Sequence, residues 1–161
     1  MNSLQFAIEM EHEGEKFYME QAELNKKNDL KFVCELLAAD EKEHAKMLTD
    51  KMNHEESQFP ETNTLADAKN IFTEMTPIQS GNEELKSQIS FYRNALEIEQ
   101  QSVDFYMKYQ KETTDDGEKK LFDFLIQQEK THLAVLGELY LLLKNAKDWV
   151  ENAEFGLRED Y

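Results

Sequence analysis

Six side chains able to bind a metal recur at one fixed spacing. Glu11, Glu41 and His44 return as Glu99, Glu129 and His132, each 88 residues after its counterpart. The flanking sequence repeats with them, since Ala7, Glu9, Phe17, Tyr18 and Met19 come back as Ala95, Glu97, Phe105, Tyr106 and Met107. One Glu from each of two helices, joined by Glu-x-x-His from each of two others, is the ligand set of a dinuclear metal centre inside a four-helix bundle. Such a centre points to redox chemistry.

Four helices must position these residues, and the stripe of each that faces a bundle core can be read at helical spacing. The first helix, about Ser3 to Lys26 with Asn2 or Ser3 as cap, presents Leu4, Ala7, Glu11, Gly14 and Tyr18. The second, starting at Asn28 or Asp29 and ending near His54, presents Leu37, Glu41, His44 and Leu48. The third, about Glu83 to Lys111, presents Tyr92, Ala95, Glu99, Ser102 and Tyr106, and the fourth, about Glu118 to Lys144, presents Leu125, Glu129, His132 and Leu136. Between the second and third, Pro60, Pro77 and Gly81 punctuate a long crossover with a short helix after Thr64, where Thr64 and Asp67 resemble a capping pair. Asp115-Asp116-Gly117 reads as the last turn. Residues 145–161 form a C-terminal extension whose Trp149, Val150, Phe155 and Leu157 pack on the bundle or on a second subunit. The fold class is therefore all-α, one domain over residues 1–161 with the bundle at about 3–144.

Taken singly, a Glu on an apolar stripe would mean a misread register, and a His a hydrogen-bonded core residue. Here four carboxylates and two imidazoles would have to fail together. Ionised carboxylates left unpaired in a core cost several kcal/mol each, which a marginally stable bundle cannot carry without a counter-charge. Four Glu supply about −4, and two divalent ions would balance them. Because i and i+3 share a helix face, Glu41 and His44 reach one site together, as do Glu129 and His132. The arrangement expected has Glu41 and Glu129 bridging the ions, with Glu11 and His44 on one and Glu99 and His132 on the other. Oxygen-rich ligands with one imidazole per ion suit iron or manganese, with zinc as an adventitious occupant.

Around these ligands, Tyr18 and Tyr106 are expected to hydrogen-bond the carboxylates across the core. Gly14 and Ser102 are small where a bundle usually places Leu, which makes room either for a small oxidant or for close helix approach. Asp40 and its counterpart Gln128 are placed either to orient a His on the facing helix or to face solvent. His12, His54 and Cys34 have no counterpart of their kind and are assigned no role.

Composition agrees with a helical protein. Five Gly and two Pro in 161 residues leave few helix breakers. A net charge of −16 disfavours nucleic-acid and anionic-lipid partners. A single cysteine excludes an intramolecular disulfide or a CxxC site, and the acidic N-terminal pattern is not that of a signal peptide, so a cytoplasmic location is expected. The longest apolar stretch, Leu133 to Leu143, is broken by Glu138 and too short to span a bilayer.

The segments AIEMEHEGEKFY and ALEIEQQSVDFY resemble the first and third helices of the rubrerythrin branch of the ferritin-like superfamily, and LAADEKEHAKML and LIQQEKTHLAVL its second and fourth. The resemblance spans about Ser3 to Leu143. It implies a ferritin-like bundle holding two iron ions in a non-haem centre that reduces hydrogen peroxide to water. Two departures stand out. The rubredoxin-like iron domain with its paired CxxC motifs is missing, so the electrons are expected from an external donor such as a rubredoxin. Leu96 occupies the position of the family's extra Glu, leaving a plain symmetric site. The function expected is thus peroxide reduction, with dioxygen as the other candidate oxidant, in a homodimer. The alternatives are a ferroxidase or iron-handling protein and a metal-binding bundle without turnover.

Overall fold

The computed structural model describes residues 2–75 and 82–154, with side chains described to residue 145 except at 82–84. Among the described residues there are five helices: α1 (Ser3–Leu24), α2 (Leu30–Met52), α3 (Thr64–Glu74), α4 (Asn82–Glu112) and α5 (Asp116–Glu154). No strand occurs among the described residues. The most extensive packing is within the antiparallel pairs α1–α2 and α4–α5, while α3 lies on α5 and α2. Two hairpins thus make the bundle, and the short crossover helix closes one side of it.

Local chemistry sets the helix ends. Asn2 caps α1 through its side chain, which accepts from the Gln5 amide at 2.8 Å, while the Gln5 side chain accepts from the Asn2 amide at 3.1 Å, forming a complete capping box. At the end of α2 the chain leaves through His54, whose φ of 59° is left-handed. The amides of His54 and Glu55 return to the carbonyls of Lys51 and Asp50 at 3.1 and 2.8 Å, the paired bonds of a Schellman ending.

Three boundaries differ from the sequence expectation. The 115–117 turn is shorter than expected, because Asp115 Oδ1 accepts the Glu118 amide at 2.9 Å and starts α5 at Asp116, with Gly117 already in its first turn. The fourth bundle helix does not stop at Lys144 but continues to Glu154, since residues 145–154 contain no Gly or Pro to end it. The packing expected of Trp149, Val150, Phe155 and Leu157 falls on residues whose side chains lie outside those described. Finally, Thr64 does not cap α3. Asn63 takes that position without a side-chain cap bond, and the Thr64 hydroxyl is engaged elsewhere.

The apolar core is split in two. One cluster gathers Tyr18, Leu30, Val33, Leu37, Leu136 and Leu139, roofed by Ala68 and Phe72 of α3. The other gathers Ala7, Leu48, Tyr106, Leu121, Phe122 and Leu125. Burying such side chains stabilises each half by roughly 1.5–3 kcal/mol per large residue. Between the halves lies a layer of carboxylates and imidazoles.

Candidate metal centre

All four stripes face inward as read from the sequence, with one adjustment. Glu11, Glu41, His44, Glu99, Glu129 and His132 are each no more than 2% exposed. At the near end of α4, however, the buried aromatic is Phe91, and Tyr92 is only half-buried, packed on Tyr140 with ring centroids 5.5 Å apart.

The six side chains converge as two overlapping groups, Glu11–Glu41–His44–Glu129 and Glu41–Glu99–Glu129–His132, with candidate ligand atoms in each group within 4.8 Å of one another. Glu41 and Glu129 belong to both, which is the arrangement two bridging carboxylates require. Contacts cross between the hairpins: His44 Nδ1 is 3.0 Å from Glu129 Oε1, and His132 Nδ1 is 3.0 Å from Glu41 Oε1. His44 Nδ1 also lies 3.4 Å from Glu11 Oε2, and His132 Nδ1 3.0 Å from Glu99 Oε1. The two rings face each other at a centroid distance of 5.8 Å.

Protein groups alone do not satisfy this cluster. Among the described residues, seven buried side-chain polar atoms lack a hydrogen-bond partner, and six of them are Glu11 Oε2, Glu41 Oε1, His44 Nδ1, Glu99 Oε2 and both carboxylate oxygens of Glu129. His44 Nδ1 is close to Glu129 yet makes no aligned bond with it. Buried polar atoms are otherwise almost always paired, so unpaired ones concentrated in a single layer fit a cation that accepts their lone pairs. An oxygen-rich set with one imidazole per group also matches the donor chemistry of divalent iron or manganese.

Without a metal, protons have to neutralise the layer. Burial and the neighbouring carboxylates hold the Glu41 and Glu129 acids far above the usual carboxylate range. Burial would also raise Glu11 and Glu99, but hydrogen bonds and the charge of His44 or His132 outweigh it and bring both down to about 2. Burial opposes charging of the imidazoles, but Glu11 lifts His44 to about 10, and Glu99, with other carboxylates, lifts His132 well above its ordinary value.

Both tyrosines bind across the core. Tyr18 on α1 donates to Glu99 Oε1 at 2.6 Å, and Tyr106 on α4 donates to Glu11 Oε1 at 2.5 Å. Burial and the surrounding carboxylates push both phenols well above their ordinary pKa, so these hydroxyls keep their protons and fix the carboxylates in place.

Asp40 and Gln128 face inward rather than to solvent. Each meets the far nitrogen of a histidine on the opposite hairpin: Asp40 Oδ2 is 2.9 Å from His132 Nε2, and Gln128 Oε1 is 3.4 Å from His44 Nε2. Burial pushes the Asp40 carboxyl up, but the hydrogen bond and charge of His132, with a bond from Thr64, leave it below the ordinary range. Sequence reading missed Thr64, whose hydroxyl donates to Asp40 Oδ2 at 2.5 Å from 24 residues away. Its position at a helix start gave a capping signal that masked this role.

The space beside Gly14 is taken by the Glu41 side chain. A Cβ there would stand 3.2 Å from Glu41 Oε2 and 3.4 Å from its Cδ. Gly14→Ala should therefore separate stability from metal binding. The metal-free helix gains about 1 kcal/mol in propensity, because a free Glu41 side chain gives way. Affinity for both ions falls about tenfold, because Glu41 serves both groups. Melting of the metal-free protein and metal titration would show the two opposite changes.

Leu96 is 36% exposed and turned away from the layer, so no group takes the place of an additional carboxylate there. His12 is exposed beside Glu15, His54 sits in its turn, and Cys34 is buried with its thiol pushed up to about 12 by burial and Glu35. None of the three reaches the site. No helix among the described residues is long and apolar enough to cross a membrane.

A family model described as Rubrerythrin matches residues 2–140. Neither the curated proteins nor the solved structures gave a match.

Proposed function

The chain belongs to the rubrerythrin family, and from that premise we propose that it is a di-iron protein that reduces hydrogen peroxide to water. The observation that carries this reading is the doubly shared pair Glu41 and Glu129 within two buried Glu/His groups. One ion would be held by Glu11 and His44, the other by Glu99 and His132, with Glu41 and Glu129 between them. A ferrous pair held there would supply the two electrons that, with two protons, convert one H2O2 to two H2O.

The chain's own residues provide the setting. Tyr18 and Tyr106 hold the terminal carboxylates, Asp40 and Gln128 aim the imidazoles, and the two apolar clusters keep bulk water from either end of the layer. The protons consumed in the reaction come from solvent or from Tyr18 and Tyr106, whose hydroxyls point at the ligand carboxylates. The electrons that reset the site come from a donor outside these 161 residues, in keeping with a single buried cysteine and no CxxC pair in the sequence.

Anaerobic loading with Fe(II), followed by stopped-flow mixing with H2O2 and separately with O2, tests the reading. The reduced protein alone should consume about one H2O2 per pair of ions and then stop, resuming only when a donor is added. Sustained loss with O2 release would indicate catalase chemistry and favour manganese as the native metal. Net retention of Fe(III) would favour iron handling, and inertness to peroxide a metal-binding bundle without turnover.

A further inference from the structure

The 88-residue repeat makes the six ligands symmetric, but it does not extend to the residues behind the imidazoles. Asp40 stands behind His132, and its counterpart Gln128 stands behind His44. From this difference we propose that the two metal positions fill in a fixed order, the Glu99/His132 position first and the Glu11/His44 position second. The proposal rests on the dinuclear reading given above.

Each ring turns Nδ1 toward the carboxylate layer and Nε2 toward its outer partner. At His132 the partner is an anion 2.9 Å away, and Nε2–H donates to it. A carboxylate accepting that hydrogen bond pushes electron density onto the ring and raises the basicity of Nδ1 as a metal donor. The nearby negative charge also attracts a divalent ion directly. Behind His44 the acceptor is a neutral amide oxygen at 3.4 Å, too long for more than a weak bond.

The supports of the two partners differ in the same sense. Asp40 is fixed by the buried Thr64 hydroxyl at 2.5 Å, whereas Gln128 receives only the exposed Thr62 hydroxyl at 3.5 Å. The ligand nitrogens differ as well, since His132 Nδ1 is hydrogen-bonded with Glu99 Oε1 at 3.0 Å while His44 Nδ1 has no aligned partner, but the carboxylates do not separate the positions. Each terminal Glu accepts one tyrosine hydroxyl, at 2.6 and 2.5 Å, and Glu41 and Glu129 are common to both groups. Asp40 is thus a positioning residue for the first ion, and the expected preference is about tenfold to a hundredfold.

Metal occupancy can test this without turnover. Crystals of the chelator-stripped full chain, given one equivalent of Mn(II), should show anomalous scattering at least about ten times stronger at the His132 side. Asp40→Asn keeps the shape and removes the charge, so the ratio should fall toward one. Gln128→Glu adds the missing charge behind His44 and should also bring the ratio toward one, by strengthening the weaker position. It carries the test even if the Asp40 variant folds poorly. Equal or reversed occupancy in the parent protein overturns the order, as does a ratio that neither variant changes. Fewer than two ions at saturating Mn(II) overturns the dinuclear reading itself, a result distinct from two ions bound without order.

Discussion

Glu41→Gln and Glu129→Gln should each strip both ions from the protein while leaving the metal-free fold almost unchanged. Both side chains belong to both groups, so loss of one anionic bridge weakens two positions at once, by about a hundredfold or more in affinity. The metal-free fold tolerates the change because burial and neighbouring carboxylates already keep these two acids protonated, so a neutral amide replaces a neutral acid of the same shape. His44→Ala should behave differently. His44 belongs to one group only, and its loss should empty chiefly the position shared with Glu11. Metal analysis after gel filtration, with melting of each metal-free variant, checks all three. Loss of a single ion in every case would reject Glu41 and Glu129 as bridges.

Loading the metal-free protein with two divalent ions near pH 7 should release about four protons, two from the imidazoles and two from the bridging acids. His44 is lifted to about 10 and His132 well above its ordinary value, while Glu41 and Glu129 are raised above the carboxylate range, so burial and the surrounding charges favour the protonated form of all four. Glu11 and Glu99, at about 2, are already ionised and release none. At about two protons per ion, apparent affinity climbs about a hundredfold per pH unit, and it keeps rising until His44 loses its proton at about 10. The sign for the metal-free fold is opposite at the imidazoles. Their raised values stabilise the fold fully below the unfolded value of 6.5, and for His44 that contribution disappears as pH rises through about 10. The contribution of Glu11 and Glu99 is full above 4.5 and is lost as pH falls through about 2. Calorimetry in two buffers of different ionisation enthalpy counts the protons. Fewer than about one per ion would mean the layer is deprotonated before metal arrives, against the electrostatics that burial imposes.

Much of this centre was present in the sequence because helical geometry is local. Spacing of three places Glu41 beside His44 whatever the rest of the chain does, and the 88-residue repeat pairs each ligand with its counterpart. Local chemistry also marks most helix ends, including the Asn2 cap and the turn at His54. The end of α5 was misread for an equally local reason. Residues 145–154 carry no breaker, so only the change in composition suggested a stop.

What only the tertiary structure decided are contacts whose partners lie far apart in sequence and depend on how one helix is rotated and shifted against another. Tyr18 finds Glu99 across 81 residues, and Asp40 finds His132 across 92. Nothing in the spacing of either helix sets that rotation. It follows from packing the two apolar clusters above and below the site, which fixes the depth at which each polar side chain meets its partner. The same packing brings Glu41 against Gly14 and turns Thr64 from a helix start toward Asp40. The sequence by itself thus determined which residues form the centre. Tertiary packing decided how they are held, and it set Asp40 behind His132 and Gln128 behind His44.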